Sequence, residues 1–146
     1  MNAPRPTPVL KVPLPYTAAQ ANRALPLVRR IVADLVSHVR HWEEAVRQVE
    51  LTSHDNTLEN AESERWQRET QRLAAEIDGR VRELAELGVV VKALDTGLVD
   101  FPGTLDGREV YFCWMLGESA VTHWHDRDAG FAGRQPLPLD ALATLG

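Results

Sequence analysis

The chain has 146 residues, 44% hydrophobic and 25% charged, which suits one domain with its own core. Its formal charge of −5 excludes a bulk electrostatic pull toward nucleic acid or an anionic membrane. A single cysteine, Cys113, excludes an internal disulfide and a multi-cysteine zinc site, and no apolar run approaches the ~18 residues of a membrane span.

Residues 1–15 carry five of the nine prolines, so this arm is read as extended or polyproline-like. The same prolines interrupt any signal-peptide core, which makes the cytoplasm the expected compartment. Thr17 and Gln20 then form a capping box, with Tyr16 placed to staple the start of a helix. Pro26, two turns in, is expected to kink or restart that helix. Beyond it, Leu25, Val28, Val32, Leu35, Val39, Trp42, Val46 and Val49 alternate at steps of 4 and 3, the spacing of a coiled-coil seam. Thr52–Asn56 is turn-like. A second helix is predicted from Leu58 to Leu87, with a seam through Trp66, Thr70, Leu73, Ile77, Val81, Leu84 and Leu87. Gly88 stands where a helix-ending glycine belongs. The short connection predicts an antiparallel hairpin over 17–87.

After Gly88 the period changes from helical to alternating. Val89–Leu94 reads as a short strand, and Asp95-Thr96-Gly97 as a turn. Leu98–Phe101 is a second strand, expected to stop at Pro102. Asp106-Gly107 is a hairpin signal. Glu109–Leu116 follows as the best strand, with Val110, Phe112, Trp114 and Leu116 on one face. Ala120–His125 is a fourth strand, 128–138 a glycine-rich loop and 140–145 a short terminal helix. The expected fold is α+β within one domain, 1–146. It comprises the arm, a long antiparallel helical hairpin, and a small antiparallel β-module of three to four strands over 88–146.

The segment 88–136 carries a specific motif set. It runs through Thr96-Gly97-Leu98-Val99-Asp100-Phe101, Gly107-Arg108-Glu109-Val110-Tyr111, Cys113-Trp114, Gly117-Glu118, Trp124-His125 and Gly130-Phe131-Ala132-Gly133-Arg134-Gln135-Pro136. With the helical half before it, this set resembles a family of small prokaryotic proteins catalogued as a domain of unknown function. The resemblance implies an architecture and points at residues, and it implies no reaction.

Two constellations in the β-module carry chemistry. His123 and His125 project from one face of a strand, and with Asp126 they offer ligands to a divalent transition metal, zinc or iron. Asp100 and Glu118, at strand ends, are placed to complete such a site. The competing reading makes His125 a hydrogen-bonded structural histidine. Arg134, among Gly130, Gly133 and Pro136, suits a carboxylate or phosphate ligand, with Asp100, Glu118 and Trp124 as further ligand-site residues. Its competing reading is an internal pair with Asp100, Asp126 or Asp128. In the first helix, Asp34, His38 and His41, with Glu44 nearby, share a stripe that reads either as a solvated flank or as metal ligands. Cys113 lies in an apolar run and reads as a small buried hydrophobe.

Two functional classes follow. In one, the chain is an interaction or ligand-binding module that self-associates through the hairpin, because Ile31, Val36 and one side of Trp66 widen its apolar surface. In the other, it is a metal-binding protein or metal-dependent enzyme with its site around His125. No nucleic acid or membrane partner is expected. Ten basic residues intermix with thirteen acidic ones over 17–87, the pattern of a solvated helix face.

Overall fold

A computed structural model of the chain describes residues 14–53 and 60–143. The first helix, α1 (Ala18–Ser53), starts at the capping box. Thr17 N donates to Gln20 Oε1 at 2.9 Å, and Gln20 N donates to Thr17 Oγ1 at 3.1 Å. Pro26 neither ends nor restarts α1, which runs through it. The neighbouring turn is held from outside the helix. Asn22 Nδ2 donates to Ala18 O at 3.1 Å and to Val121 O at 3.0 Å, and Asn22 Oδ1 accepts from Val121 N at 2.8 Å. These bonds tie the start of α1 to the β-module at Val121 and offset the lost helical bond.

The second helix, α2 (Ala61–Glu86), packs along α1, and Val39 and Trp42 of α1 line one cleft with Ala74 and Ile77 of α2. Leu58 and residues 54–56 of the expected turn lie outside the described residues, as do 1–13 of the arm and 144–145 of the expected terminal helix. The end of α2 is a Schellman motif. Gly88 (φ 77°) donates to Ala85 O at 2.9 Å, and Val89 N donates to Leu84 O at 2.9 Å.

The seam residues Leu25, Val28, Val32, Leu35, Val39, Leu73 and Leu84 are buried as expected. The two tryptophans depart from the expected core: Trp42 is 36% exposed and Trp66 is half-buried. The buried positions at that end are Ala45 and Ser63. Ile31 and Val36, expected to widen an exposed surface, are both buried. The turn at Gly97 sits on α1, and a Cβ there would lie 2.8 Å from Val32 Cγ1 and 3.1 Å from Val36 Cγ2. The β-module thus covers the Val36 flank within one chain, and both residues are buried in the single chain.

The sheet is an antiparallel meander in chain order. Its strands are β1 (Val90–Ala93), β2 (Leu98–Leu105), β3 (Arg108–Met115), β4 (His123–Asp126) and β5 (Gln135–Pro136). Five strands stand where three to four were expected. The extra one is a two-residue pairing with β4 inside the expected glycine-rich loop. A helix α3 (Leu139–Ala143) follows.

β2 passes through Pro102 instead of stopping there. Pro102 O accepts from Tyr16 N at 2.9 Å, and Tyr16 O accepts from Thr104 N at 3.0 Å. The Pro102 nitrogen shares that side, beyond the last β1–β2 pair at Val90–Asp100, so no β-ladder bond is lost. Asp106 (φ 51°) and Gly107 (φ 78°) form the two-residue turn that closes β2 on β3.

Tyr16 itself contacts both layers. Its ring meets Phe101 edge-on at 5.2 Å, and its hydroxyl donates to Leu87 O at 2.6 Å, one of the orphan carbonyls ending α2. Tyr16→Phe keeps the ring and removes that bond. The expected loss is about 1 kcal/mol of unfolding free energy, read by urea denaturation.

Candidate functional site

Strand register sorts the β-module's side chains onto two faces. Val99 pairs with Trp114, Phe101 with Phe112 and Gly103 with Val110, and the side chains of Val99, Phe101, Val110, Phe112 and Trp114 enter the core with the helices. The other face carries Asp100 opposite Cys113, then Cys113 opposite His123 and Tyr111 opposite His125. Polar residues on an outer face are ordinarily solvated. Here Asp100, Cys113 and His125 are all buried, at 1%, 1% and 2% exposure.

Their reactive atoms converge. One ligand atom from each of Asp100, Cys113 and His125 lies within 4.8 Å of the other two. His125 Nε2 is 3.0 Å from Asp100 Oδ2, and His125 Nδ1 is 2.7 Å from Asp126 O. A carbonyl oxygen only accepts, so Nδ1 carries a hydrogen. Nε2 therefore faces a second acceptor, and something positive must lie between Nε2 and the carboxylate: a second imidazole proton, a carboxyl proton or a cation. A backbone carbonyl holding one imidazole nitrogen while the other is aimed at a site is the usual support of a metal-ligating histidine. Tyr111 packs against the His125 ring at 5.5 Å.

Burial, then the charge of nearby Asp100, pushes the Cys113 thiol up to about 12. Without a cation the thiol stays protonated at neutral pH and is no nucleophile. A bound divalent ion would invert that preference, because a coordinating thiol loses its proton.

The other expected site residues fall around this cluster. His123 shares the outer face but turns its Nδ1 to the Thr122 hydroxyl at 2.9 Å, outside the three-ligand group. Asp126 contributes its backbone carbonyl to His125, while its side chain pairs with Arg108. Arg134 pairs with Glu118 at 3.0 Å rather than with Asp100, Asp126 or Asp128. Glu118 Oε1 also accepts from Met115 N at 2.7 Å, and Glu118 O accepts from Trp114 Nε1 at 3.0 Å. The Arg134–Glu118 pair thus clamps the returning loop to β3, and both charges act on the Cys113 thiol. Trp124 lies beneath the Arg108 guanidinium at 5.5 Å, away from the buried cluster. Asp34, His38 and His41 form no metal-ligating group among the described residues, and His38 instead approaches Glu76 at 3.9 Å.

The model of an uncharacterised conserved protein family, DUF2203, matches residues 15–137. The chain belongs to that family. The match spans both the hairpin and the β-module, so the fold and the buried cluster lie within the family's common region. No curated protein and no solved structure matches the chain. No helix among the described residues is long and apolar enough to cross a membrane.

Cys113 is the member of the cluster that the sequence did not single out. Its alternation offered a signal: Val110, Phe112 and Trp114 claim the core face, which leaves Tyr111, Cys113 and Met115 on the other. Nothing local says that Asp100 stands opposite Cys113 or that His125 reaches across.

Proposed function

We propose that this chain is a transition-metal-binding protein whose centre is Asp100, Cys113 and His125, with zinc as the ion that fits best. One observation carries the proposal: three buried ligand atoms of different chemistry converge within 4.8 Å, with His125 aimed by the Asp126 carbonyl. A thiolate, an imidazole and a carboxylate are all zinc donors, and thiolate ligation argues against magnesium or calcium. Charge supports the assignment as well. A divalent ion with one thiolate, one carboxylate and a neutral imidazole sums to zero, the balance a buried site needs. All three ligands are buried, which shields the ion from bulk water, and three protein ligands leave its fourth position to a water or a further donor.

Protein purified without chelators should carry close to one equivalent of zinc by elemental analysis. Zinc added to chelated protein at ~100 times its dissociation constant should add about 2.7 kcal/mol, roughly 5–10 °C in Tm. Cobalt substitution should show a thiolate charge-transfer band that Cys113→Ser removes. Protein that retains no metal and gains no stability from zinc would leave the three residues as a hydrogen-bonded structural triad.

A further inference from the structure

A second site lies where the hairpin meets β1. A cleft of about 590 Å³ opens between α1, α2 and the β1–β2 turn, in the range that holds small metabolites. Val39, Ile77 and Leu94 form its apolar wall, and Trp42, Glu43 and Asp95 stand at it with Lys92. It shares no residue with the Asp100–Cys113–His125 cluster and does not depend on that assignment.

Three of the four tryptophans have an arginine over the ring: Arg65 over Trp66 at 5.8 Å, Arg29 over Trp114 at 6.0 Å and Arg108 over Trp124 at 5.5 Å. Trp42, 36% exposed in the cleft, has no cation over it among the described residues. The carboxylates beside it are unclaimed too. Among the described residues neither Glu43 nor Asp95 is in an ion pair, and Asp95 accepts only from Thr96 N, at 3.0 Å. Lys92 lines the cleft, but its ammonium stands over the Tyr111 ring at 5.7 Å. Among the described residues the cleft therefore offers an aromatic face, an apolar wall and two carboxylates outside any ion pair, and the one cation that lines it is turned toward another ring.

We propose that this cleft binds a small organic cation, an amine or quaternary ammonium with an apolar body. The charged head would lie against the Trp42 face between Glu43 and Asp95, and the apolar body against Val39, Ile77 and Leu94. A cation over a tryptophan is favoured by the ring quadrupole, and more so where apolar walls exclude water. An anionic ligand would meet both carboxylates, and a neutral one would leave them unanswered.

The test is a titration of the full chain with benzyltrimethylammonium, followed by ¹H–¹⁵N NMR, with benzyl alcohol as the neutral counterpart. Saturable shifts are expected at the Trp42 indole N–H, Lys92 and Leu94, with benzyl alcohol at least about tenfold weaker. Trp42→Ala should weaken the ammonium probe by about tenfold, and Glu43→Gln with Asp95→Asn by a similar factor, with melting temperature as the folding control. The proposal is overturned by any of three results: no saturable shift up to about 10 mM, equal affinity for benzyl alcohol, or shifts that map elsewhere and survive these substitutions.

Discussion

Replacing Asp100 with alanine is expected to cost about 3–5 kcal/mol of stability, measured by urea denaturation of chelator-treated protein. The carboxylate answers both His125 Nε2 at 3.0 Å and the neighbouring Cys113 thiol, at a position 1% exposed. Its removal strands a buried imidazole nitrogen and leaves a cavity that water reaches only by local opening. Asp100→Asn should cost less, because an amide can donate to Nε2 once that nitrogen has lost its hydrogen. Both variants should also lose zinc retention, which separates a ligand from a purely structural partner. A loss below about 1 kcal/mol for Asp100→Ala would mean that the carboxylate is solvated, and the buried centre would be wrong.

Gly103→Val should be nearly as damaging, at roughly 3–5 kcal/mol, for a reason of shape rather than charge. A Cβ at this position would lie 2.3 Å from Phe112 Cε2 and 2.6 Å from Tyr16 O. The Phe112 ring is fully buried, and the Tyr16 backbone is held by Pro102 O and Thr104 N. Neither neighbour can yield without loss. Moving the ring disrupts the core, and moving the arm breaks two backbone hydrogen bonds that together contribute about 2 kcal/mol. Thermal unfolding gives the check. An unchanged Tm would show that the arm's bridge to β2 contributes nothing to the folded state.

Much of the fold was legible because its determinants are local. The Thr17–Gln20 box, the stripe from Leu25 to Val39, the helix end at Gly88 and the Asp106-Gly107 turn each involve residues a few positions apart. Neighbour interactions over one or two helical turns, or across one tight turn, decide them. The departures lie where a distant segment intervened. Pro102 stays within its strand because Tyr16, far off in the chain, takes the place of a strand neighbour. Val36 loses its exposure to the Gly97 turn of the β-module, a packing that no helical period describes. Trp42 leaves the expected core and lines a cleft with Ala74 and Ile77, while Ala45 is buried in its place.

The candidate site divides the same way. His125 and Asp100 stood out by residue type, and their contact across 25 positions did not. The sequence by itself determined the helical hairpin, the alternation that gives each strand two faces, and the presence of ionisable groups on the face turned from the core. Only the tertiary structure decided that Asp100, Cys113 and His125 meet, that Arg134 goes to Glu118, and that His123 stays apart. Strand register and twist are set jointly by the whole sheet and the helices it covers. A convergence of side chains from three strands is therefore a property of the assembled core and not of any segment read alone.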